Sequence, residues 1–84
     1  MADQLLRATS SVVLNIGEGA NRYTPGQKRT SFSVARGECG ELAVAIEVAN
    51  TLGWFTDAEA TELLELAARV GAMLTKLIQR HSAR

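Results

Sequence analysis

The chain has 84 residues, of which 46% are hydrophobic and only 5% aromatic, so we expect a single domain with a helical core rather than an aromatic-rich sheet. Its nine basic and nine acidic residues cancel, which excludes a positive field over the whole surface but leaves room for a local basic patch. The single cysteine, Cys39, excludes an intrachain disulfide, and the lack of a long apolar run or a signal-peptide pattern predicts a soluble, cytoplasmic protein without a membrane span.

The first predicted element is a helix over residues 3–16. Its apolar positions recur at spacings of four, three and four, which places them on one helical face: Leu5, Thr9, Val12 and Ile16. The segment that follows has no apolar period, and we expect Gly17 or Gly19 to end the helix in the left-handed conformation. A helix this short would be only about 21 Å long.

A second helix is predicted over residues 25–52. Thr24 followed by Pro25 strongly predicts a helix start, because threonine is a favoured N-cap residue. Proline suits the first helical position, where the backbone N–H that it lacks would have no partner within the helix. The small and apolar residues recur at alternating spacings of three and four, which places them along one line of contact with neighbouring helices, here called the seam: Phe32, Ala35, Cys39, Leu42, Ile46, Ala49 and Gly53. Gly37 and Gly40 each cost about 1 kcal/mol against alanine, so we expect them to allow close approach of another helix backbone.

A tight turn and a third helix over residues 57–82 follow. Gly53 is expected to stop the second helix, and Trp54 and Phe55 to fill the end of the bundle. A Thr-x-x-Glu capping box begins the third helix at Thr56. Its seam again alternates at three and four: Ala60, Leu63, Ala67, Val70, Leu74, Leu77 and His81. The two long helices match in length, so they are expected to be antiparallel.

The helices leave apolar surface without a partner. Leu66 and Met73 lie seven residues apart and off the main seam of the third helix, which predicts a second apolar face. The short first helix adds to this exposed surface. We therefore expect an all-α, antiparallel up-and-down bundle of three helices, forming one domain over residues 1–84 and completed by oligomerisation.

A motif at the end of the first predicted helix, with single positions on either side, is shared with a known family. The motif is the most specific part: Ser11, Asn15, Ile16, Glu18 and Gly19. The individually weaker matches are correctly ordered: Ala8, Arg22, Phe32, Ala35, Arg36, Gly37, Glu41, Leu42, Leu52, Gly53, Met73, Leu74, Leu77 and Ile78. This pattern resembles the four-helix-bundle family of 23S ribosomal RNA intervening-sequence proteins, and it covers nearly the whole chain.

The resemblance carries expectations of fold and function. It implies an up-and-down helical bundle that commonly assembles into a pentameric ring. Related members serve as accessory variability determinants beside the reverse transcriptases of diversity-generating retroelements, which implies binding to nucleic acid and to the reverse transcriptase through a basic surface. The chain departs from the family pattern in two ways. It starts at the helix that is usually the second, and its residues differ from the usual ones at Val13, Leu14, Glu38 and Cys39.

Several residue patterns suggest chemistry that a simpler interpretation explains better. Gly17-x-Gly19 with Arg22 could hold a phosphate, but no strand precedes it and a helix end is favoured. Asn15 is interpreted as a polar residue bonding near the helix end rather than as a ligand. Four glutamates resemble the carboxylate pairs of bundle metal sites, but they lack a histidine three residues on and are expected to face outward: Glu38, Glu41, Glu62 and Glu65.

The two remaining reactive side chains are also given structural roles. Cys39 lies on the seam and is interpreted as a small buried hydrophobe rather than a catalytic thiol, because no neighbouring base is evident. His81 is interpreted as a surface residue favoured by the negative end of the third helix. No catalytic residue, cofactor or metal is predicted.

Most basic residues are predicted to gather at one end of the bundle: Arg22, Lys28, Arg29, Arg36, Lys76, Arg80 and Arg84. An antiparallel hairpin brings the start of the second helix beside the end of the third. Charge complementarity with the helix dipole explains the residues on the third helix but not those on the second. Binding to a phosphate backbone is therefore kept as one hypothesis.

Two functions follow from these observations. The leading hypothesis is a non-enzymatic, homo-oligomeric adaptor or assembly protein with no membrane or metal partner. The alternative is a nucleic-acid-binding accessory subunit, with RNA or DNA and a reverse transcriptase as its partners. No residue pattern typical of an active site supports a third, enzymatic, function.

Overall fold

In a computed structural model, which describes residues 2–82, the chain forms three α-helices: α1 (Ala2–Asn21), α2 (Pro25–Thr51) and α3 (Asp57–Arg80). Successive helices are antiparallel and joined by short connections, so the predicted all-α, up-and-down architecture is confirmed. α2 packs against both neighbours, whereas the backbones of α1 and α3 do not come into contact. The backbone measures 45 × 21 × 13 Å. The three helices therefore form a shallow, open arrangement with α2 at its centre.

α1 is longer than predicted and continues through both glycines expected to end it. Gly19 is buried, and a Cβ built on it would lie 2.6 Å from the Phe32 ring, so this position admits no side chain without a shift. The Asn21 amide donates to the Gly17 carbonyl oxygen at 2.8 Å within the same helix. The predicted terminator is thus wrong. Glycine is required here by close packing rather than by a left-handed backbone.

The two predicted helix starts are confirmed. Thr24 and Thr56 each accept a hydrogen bond from the backbone amide three residues later, at 3.1 Å in both cases. The side chain of Glu59 returns a bond to the Thr56 amide at 2.9 Å, and Gln27 does the same for Thr24 at 3.4 Å. Both starts are therefore full capping boxes, although at Thr24 the sequence pattern predicted only the threonine cap and the proline that follows it.

The helix ends fall slightly earlier than predicted, at Thr51 and Arg80. Gly53 has a φ of +84° and is the one residue of 2–82 with a clearly positive φ, so it forms the turn expected of it. It is exposed and therefore does not belong to the buried seam, as its spacing had suggested. Trp54 does not fill the end of the bundle, since the residue is 49% exposed.

The core is small and built largely from short side chains. Its buried apolar residues lie on the predicted seams, with Val12 from α1: Val12, Phe32, Ala35, Cys39, Ala45, Ile46, Ala49, Ala60, Ala67 and Leu74. Leu74 is the one large side chain of the described residues that is fully buried. The Cys39 thiol donates to the Ala67 carbonyl oxygen at 3.2 Å, which confirms its interpretation as a buried packing residue.

Two further predictions are wrong because they depended on neighbours that the sequence does not identify. A Cβ at Gly37 or Gly40 would meet no atom of another helix within 4 Å, so among residues 2–82 no helix backbone packs closely on them. His81 is half-buried rather than exposed, and its ring stacks on Phe32 with centroids 6.0 Å apart. This contact forms because α2 and α3 have similar lengths, so the last turn of α3 lies over the first turns of α2.

Candidate interaction surfaces

The chain exposes more surface than a folded monomer of its mass normally does. Its accessible surface is 5615 Å². A 9.0 kDa monomer is expected to expose about 4,850 Å². The excess is roughly 750 Å², close to the area that one partner buries in a standard protein interface. Large apolar side chains make up part of it: Leu6, Val13, Leu14, Tyr23, Val34, Val44, Val48, Leu52, Trp54, Leu66 and Met73.

An apolar groove runs between α1 and α3, with α2 beneath it. We refer to it as the α1/α3 groove, and it encloses about 450 Å³. Its lining is apolar apart from one threonine: Leu5, Thr9, Val12, Val13, Ile16, Cys39, Leu42, Ile46, Phe55, Leu63, Leu66, Ala67 and Val70. The groove exists because α1 and α3 both pack on α2 but not on each other.

Leu66 and Met73 mark an exposed apolar side of α3, and Leu66 lies at this groove. Leu66 lines it and is 48% exposed. Met73 follows two turns later on the same helical side and is also exposed. The predicted uncovered apolar face of α3 is therefore present in the structure.

The matching wall on α1 was not predicted from the sequence. Val13 lines the groove and is 62% exposed, and Leu6 lies seven residues earlier on the same helical side. The signal was available, because Leu6 and Val13 repeat the seven-residue spacing of Leu66 and Met73. Both residues lie within the predicted helix over residues 3–16, but the sequence does not show that this side of α1 lies opposite α3.

A second groove lies between α2 and α3 on the side away from α1. We refer to it as the α2/α3 groove. Most of its lining residues are small, with Arg36 at its edge: Ser33, Arg36, Gly37, Cys39, Gly40, Ala43, Leu64, Ala67, Ala68, Gly71, Ala72, Thr75 and Ile78. Gly37 and Gly40 thus open onto this groove instead of contacting another helix of the chain.

The predicted basic cluster is partly assembled at the end of the bundle where α2 begins. The Arg29 guanidinium donates to the His81 carbonyl oxygen at 3.0 Å, which ties the start of α2 to the end of α3. The Lys28 ammonium donates to the carbonyl oxygens of Gly19 and Ala20 at 3.2 and 3.1 Å. Lys28 therefore caps the last turn of α1. These two basic residues serve the fold directly.

The other predicted basic residues differ in ion pairing and in their distance from this end of the bundle. Arg22 lies 3.9 Å from Glu18 in an ion pair whose side chains are both about half exposed, so the pair is weak. Lys76 and Arg80 are exposed on the last turns of α3. Arg36 is exposed but stands about 16 Å along α2 from its start, further away than predicted. Arg84 lies outside the described residues.

Acidic side chains collect at the opposite end of the bundle. We call this the acidic end, and it comprises the start of α1 and the start of α3: Asp3, Asp57, Glu59 and Glu62. The basic end comprises the residues just described around the start of α2: Arg22, Lys28, Arg29, Lys76 and Arg80. A chain with no net charge therefore carries opposite charges at its two ends.

The family motif has a structural role within α1. The Asn15 amide donates to the Ser11 carbonyl oxygen at 2.9 Å, which places this bond inside the helix rather than at its end. Ile16 packs against the core, and Gly19 lies against Phe32. Because Gly17 and Gly19 are helical, the segment does not form a phosphate-binding loop.

Metal sites and membrane spans are two further types of feature that residues 2–82 could contain. That part of the chain has no group of three or more His, Cys, Asp or Glu side chains placed to hold a metal ion. Its helices also include none with the length and apolar character needed to cross a membrane.

Comparison with known protein families gives a match over most of the chain. A family model described as 23S rRNA-intervening sequence protein matches residues 1–76. No curated protein and no solved structure matches significantly. The match confirms the family resemblance that the sequence motif predicted.

Proposed function

The chain belongs to the 23S rRNA-intervening sequence protein family, and we propose that it is a non-enzymatic subunit that self-associates and acts as an assembly or adaptor protein. The family is not a known family of enzymes, and the fold is small and all-helical. The proposal includes a cytoplasmic location, which the single thiol of Cys39 suits.

The observation that carries this proposal is the apolar surface that the chain leaves open. Its surface excess of roughly 750 Å² is close to one partner's share of a standard interface. The exposed Val13 and Leu66 line a single groove, and the exposed Met73 follows Leu66 two turns later on the same side of α3. A monomer rarely keeps a contiguous apolar surface of this kind in water, whereas a subunit of an oligomer buries it.

Sedimentation velocity and native mass spectrometry test the proposal. We expect a mass that is a multiple of 9.0 kDa at micromolar concentration, shifting towards one chain on dilution. The family resemblance proposes five copies in a ring, and the measured mass counts them. A compact monomer across the micromolar range would refute self-association.

A second candidate function is binding to nucleic acid as an accessory subunit of a reverse transcriptase. The contact between Arg29 and the His81 carbonyl supports it, because this contact brings basic residues of α2 and α3 to the same end. The exposed ammonium of Lys76 and guanidinium of Arg80 lie at that end. The fully exposed Tyr23 lies in the loop beside Arg22 and offers a face on which a base can stack.

Titration of labelled RNA and DNA at several salt concentrations tests this second function. Contacts to several phosphates require a steep loss of affinity with salt. Replacing Lys76 and Arg80 with glutamine should weaken binding and flatten this salt dependence. Replacing Arg7, which lies on α1 away from the basic end, is the matched control. Undetectable binding at low salt would exclude the function.

A further inference from the structure

We propose that a crevice beside the first turns of α2 binds a phosphate group, held by the Arg22 guanidinium, the Gly26 backbone amide and the Ser31 hydroxyl. We call it the α2-start crevice, and it encloses about 310 Å³. Five residues line it: Arg22, Gly26, Gln27, Thr30 and Ser31. It lies outside both grooves and is distinct from the glycine segment of α1, which is helical. The site does not depend on self-association.

The Ser31 hydroxyl is the observation that points to a ligand. Ser31 is 6% exposed and is the one buried polar residue among residues 2–82. Its hydroxyl forms no hydrogen bond with any of these residues, whereas the neighbouring Thr30 hydroxyl donates to the Gly26 carbonyl oxygen at 3.0 Å. No fully enclosed side-chain oxygen of residues 2–82 lacks a hydrogen bond, so the Ser31 oxygen must open onto the crevice that it lines. Buried hydroxyls are normally paired, and this one is left to bond a ligand.

The start of α2 supplies a backbone donor and a positive dipole end. α2 begins at Pro25, which has no N–H. The amides of Gln27 and Lys28 both donate to Thr24. The Gly26 amide has no such partner within the described part of the chain, so it remains one of the free N–H groups of a helix start. The first turn of α2 also contains no acidic residue, so its positive dipole end favours an external anion.

Arg22 supplies the charge of the site. Its ion pair with Glu18 is long, at 3.9 Å, and about half exposed, so a phosphate can replace the carboxylate at little cost. A guanidinium offers several donors in one plane, which matches the oxygens of a phosphate. The negative end of α1 lies nearby and would repel an anion. Its last carbonyl oxygens are already bound by the Lys28 ammonium, at 3.2 and 3.1 Å, which offsets that repulsion.

The spacing and number of the donors select a phosphate. Gly26 and Ser31 are five residues apart, about 7.5 Å along α2. Two hydrogen bonds of about 2.8 Å each, with the anion between them, span that distance. A phosphate monoester carries up to two charges and three acceptor oxygens, one for each donor. A carboxylate has only two oxygens, and a chloride ion is a single atom that cannot bridge the donors.

A nuclear magnetic resonance titration of the full chain with sodium phosphate tests the site, with sodium chloride at equal ionic strength as the reference. We expect the Gly26 amide resonance to shift saturably with phosphate, in the millimolar range, and not with chloride. Ser31→Ala and Arg22→Gln should each raise the dissociation constant for phosphate about tenfold, because each removes a hydrogen bond to a charged group. A Gly26 shift that is absent, or the same in chloride, would overturn the proposal.

Two matched variants control for general effects of the substitutions. Ser33→Ala removes an exposed hydroxyl two residues further along α2, and Arg7→Gln removes an exposed guanidinium from α1. Both should bind phosphate like the unmodified chain. Ser31→Ala should keep or raise the melting temperature, because it removes a buried hydroxyl that has no protein partner. Unchanged phosphate affinity in Ser31→Ala would refute the site as built here.

A short single-stranded RNA with a 5′-phosphate identifies the source of the phosphate. Tyr23 follows Arg22 and is 97% exposed, so the base next to a bound phosphate can stack on it. If the phosphate belongs to a nucleic acid, this RNA should bind about tenfold more tightly than inorganic phosphate, and Tyr23→Ala should remove the gain. Equal affinity would assign the site to free phosphate. Glutamine at Lys76 and Arg80 tests the second candidate function separately and should leave the Gly26 shift with inorganic phosphate unchanged.

Discussion

Replacement of Gly19 by alanine is the most direct test of how α1 is held on α2. The new Cβ would lie 2.6 Å from one ring atom of Phe32 and 2.8 Å from another, well inside van der Waals contact. Phe32 is itself 4% exposed and stacks on His81, so its ring has little room to move. α1 must then shift away from α2, or the ring must leave its position.

The expected magnitude is a balance of two opposing effects. Replacing a helical glycine with alanine favours the folded state by about 1 kcal/mol. Forcing an additional carbon into a packed contact costs about 1–3 kcal/mol. We expect the packing effect to exceed the propensity effect, because the clash involves two atoms of a buried ring. The free energy of unfolding should fall by about 1 kcal/mol in sum.

Gly17→Ala is the matched control. Gly17 lies in the same helix, two residues earlier, and a Cβ there meets nothing within 4 Å. Its replacement should raise the free energy of unfolding by about 0.5–1 kcal/mol, since only helix propensity changes. The two glycines would then differ in the sign of their effect.

Urea and thermal unfolding, followed by circular dichroism, measure both variants. A change of about 1 kcal/mol shifts the melting temperature of a domain this size by roughly 4–8 °C. Protein concentration must be held constant, because association stabilises the folded chain. If Gly19→Ala is as stable as Gly17→Ala, the close contact with Phe32 is not what requires glycine. If Gly17→Ala is strongly destabilised, a left-handed conformation there would be indicated instead.

Three further predictions concern the other helices. Thr56→Ala should lower the free energy of unfolding, measured by urea titration, by about 1 kcal/mol, because the first turn of α3 loses its cap. Thr61→Ala, at an exposed position inside α3, is the control and should be neutral or slightly stabilising in the same titration. Alanine at Gly37 or Gly40 should stabilise the chain by about 0.5–1 kcal/mol, as no atom obstructs a Cβ, and a loss in thermal stability would contradict this. The Cys39 thiol, 4% exposed, should react with a thiol reagent only as the chain unfolds, and rapid modification in native buffer would show that its contact with Ala67 opens readily.

Much of the fold could be predicted because the deciding interactions are local. The caps at Thr24 and Thr56 depend on side chains three residues away, and the turn at Gly53 depends on its own backbone. The seams follow from helical spacing alone. The exposed face with Leu66 and Met73 was predictable for the same reason, since a helix with two apolar sides cannot bury both against one neighbour.

The candidate surfaces were only partly predictable. The sequence placed Arg29 and the end of α3 at the same end of the bundle, and the contact with His81 confirms this. It did not reveal that Lys28 is occupied in capping α1, because that role requires α1 to continue to Asn21. It also missed the α1 wall of the groove, because the spacing within α1 does not show which side of this helix lies opposite α3.

The sequence by itself determined the number and order of the helices, the starts of α2 and α3, the turn at Gly53 and most of the residues that face inward, since each depends on spacing within one segment. The tertiary structure alone decided why Gly19 is glycine, why His81 is half-buried and why Gly37 opens onto a groove. The physical reason is that each of these depends on a partner in another helix, or on the lack of one. Gly19 meets Phe32 because α1 packs closely on α2, and the same arrangement, with α3 held on the other side of α2, leaves the groove open.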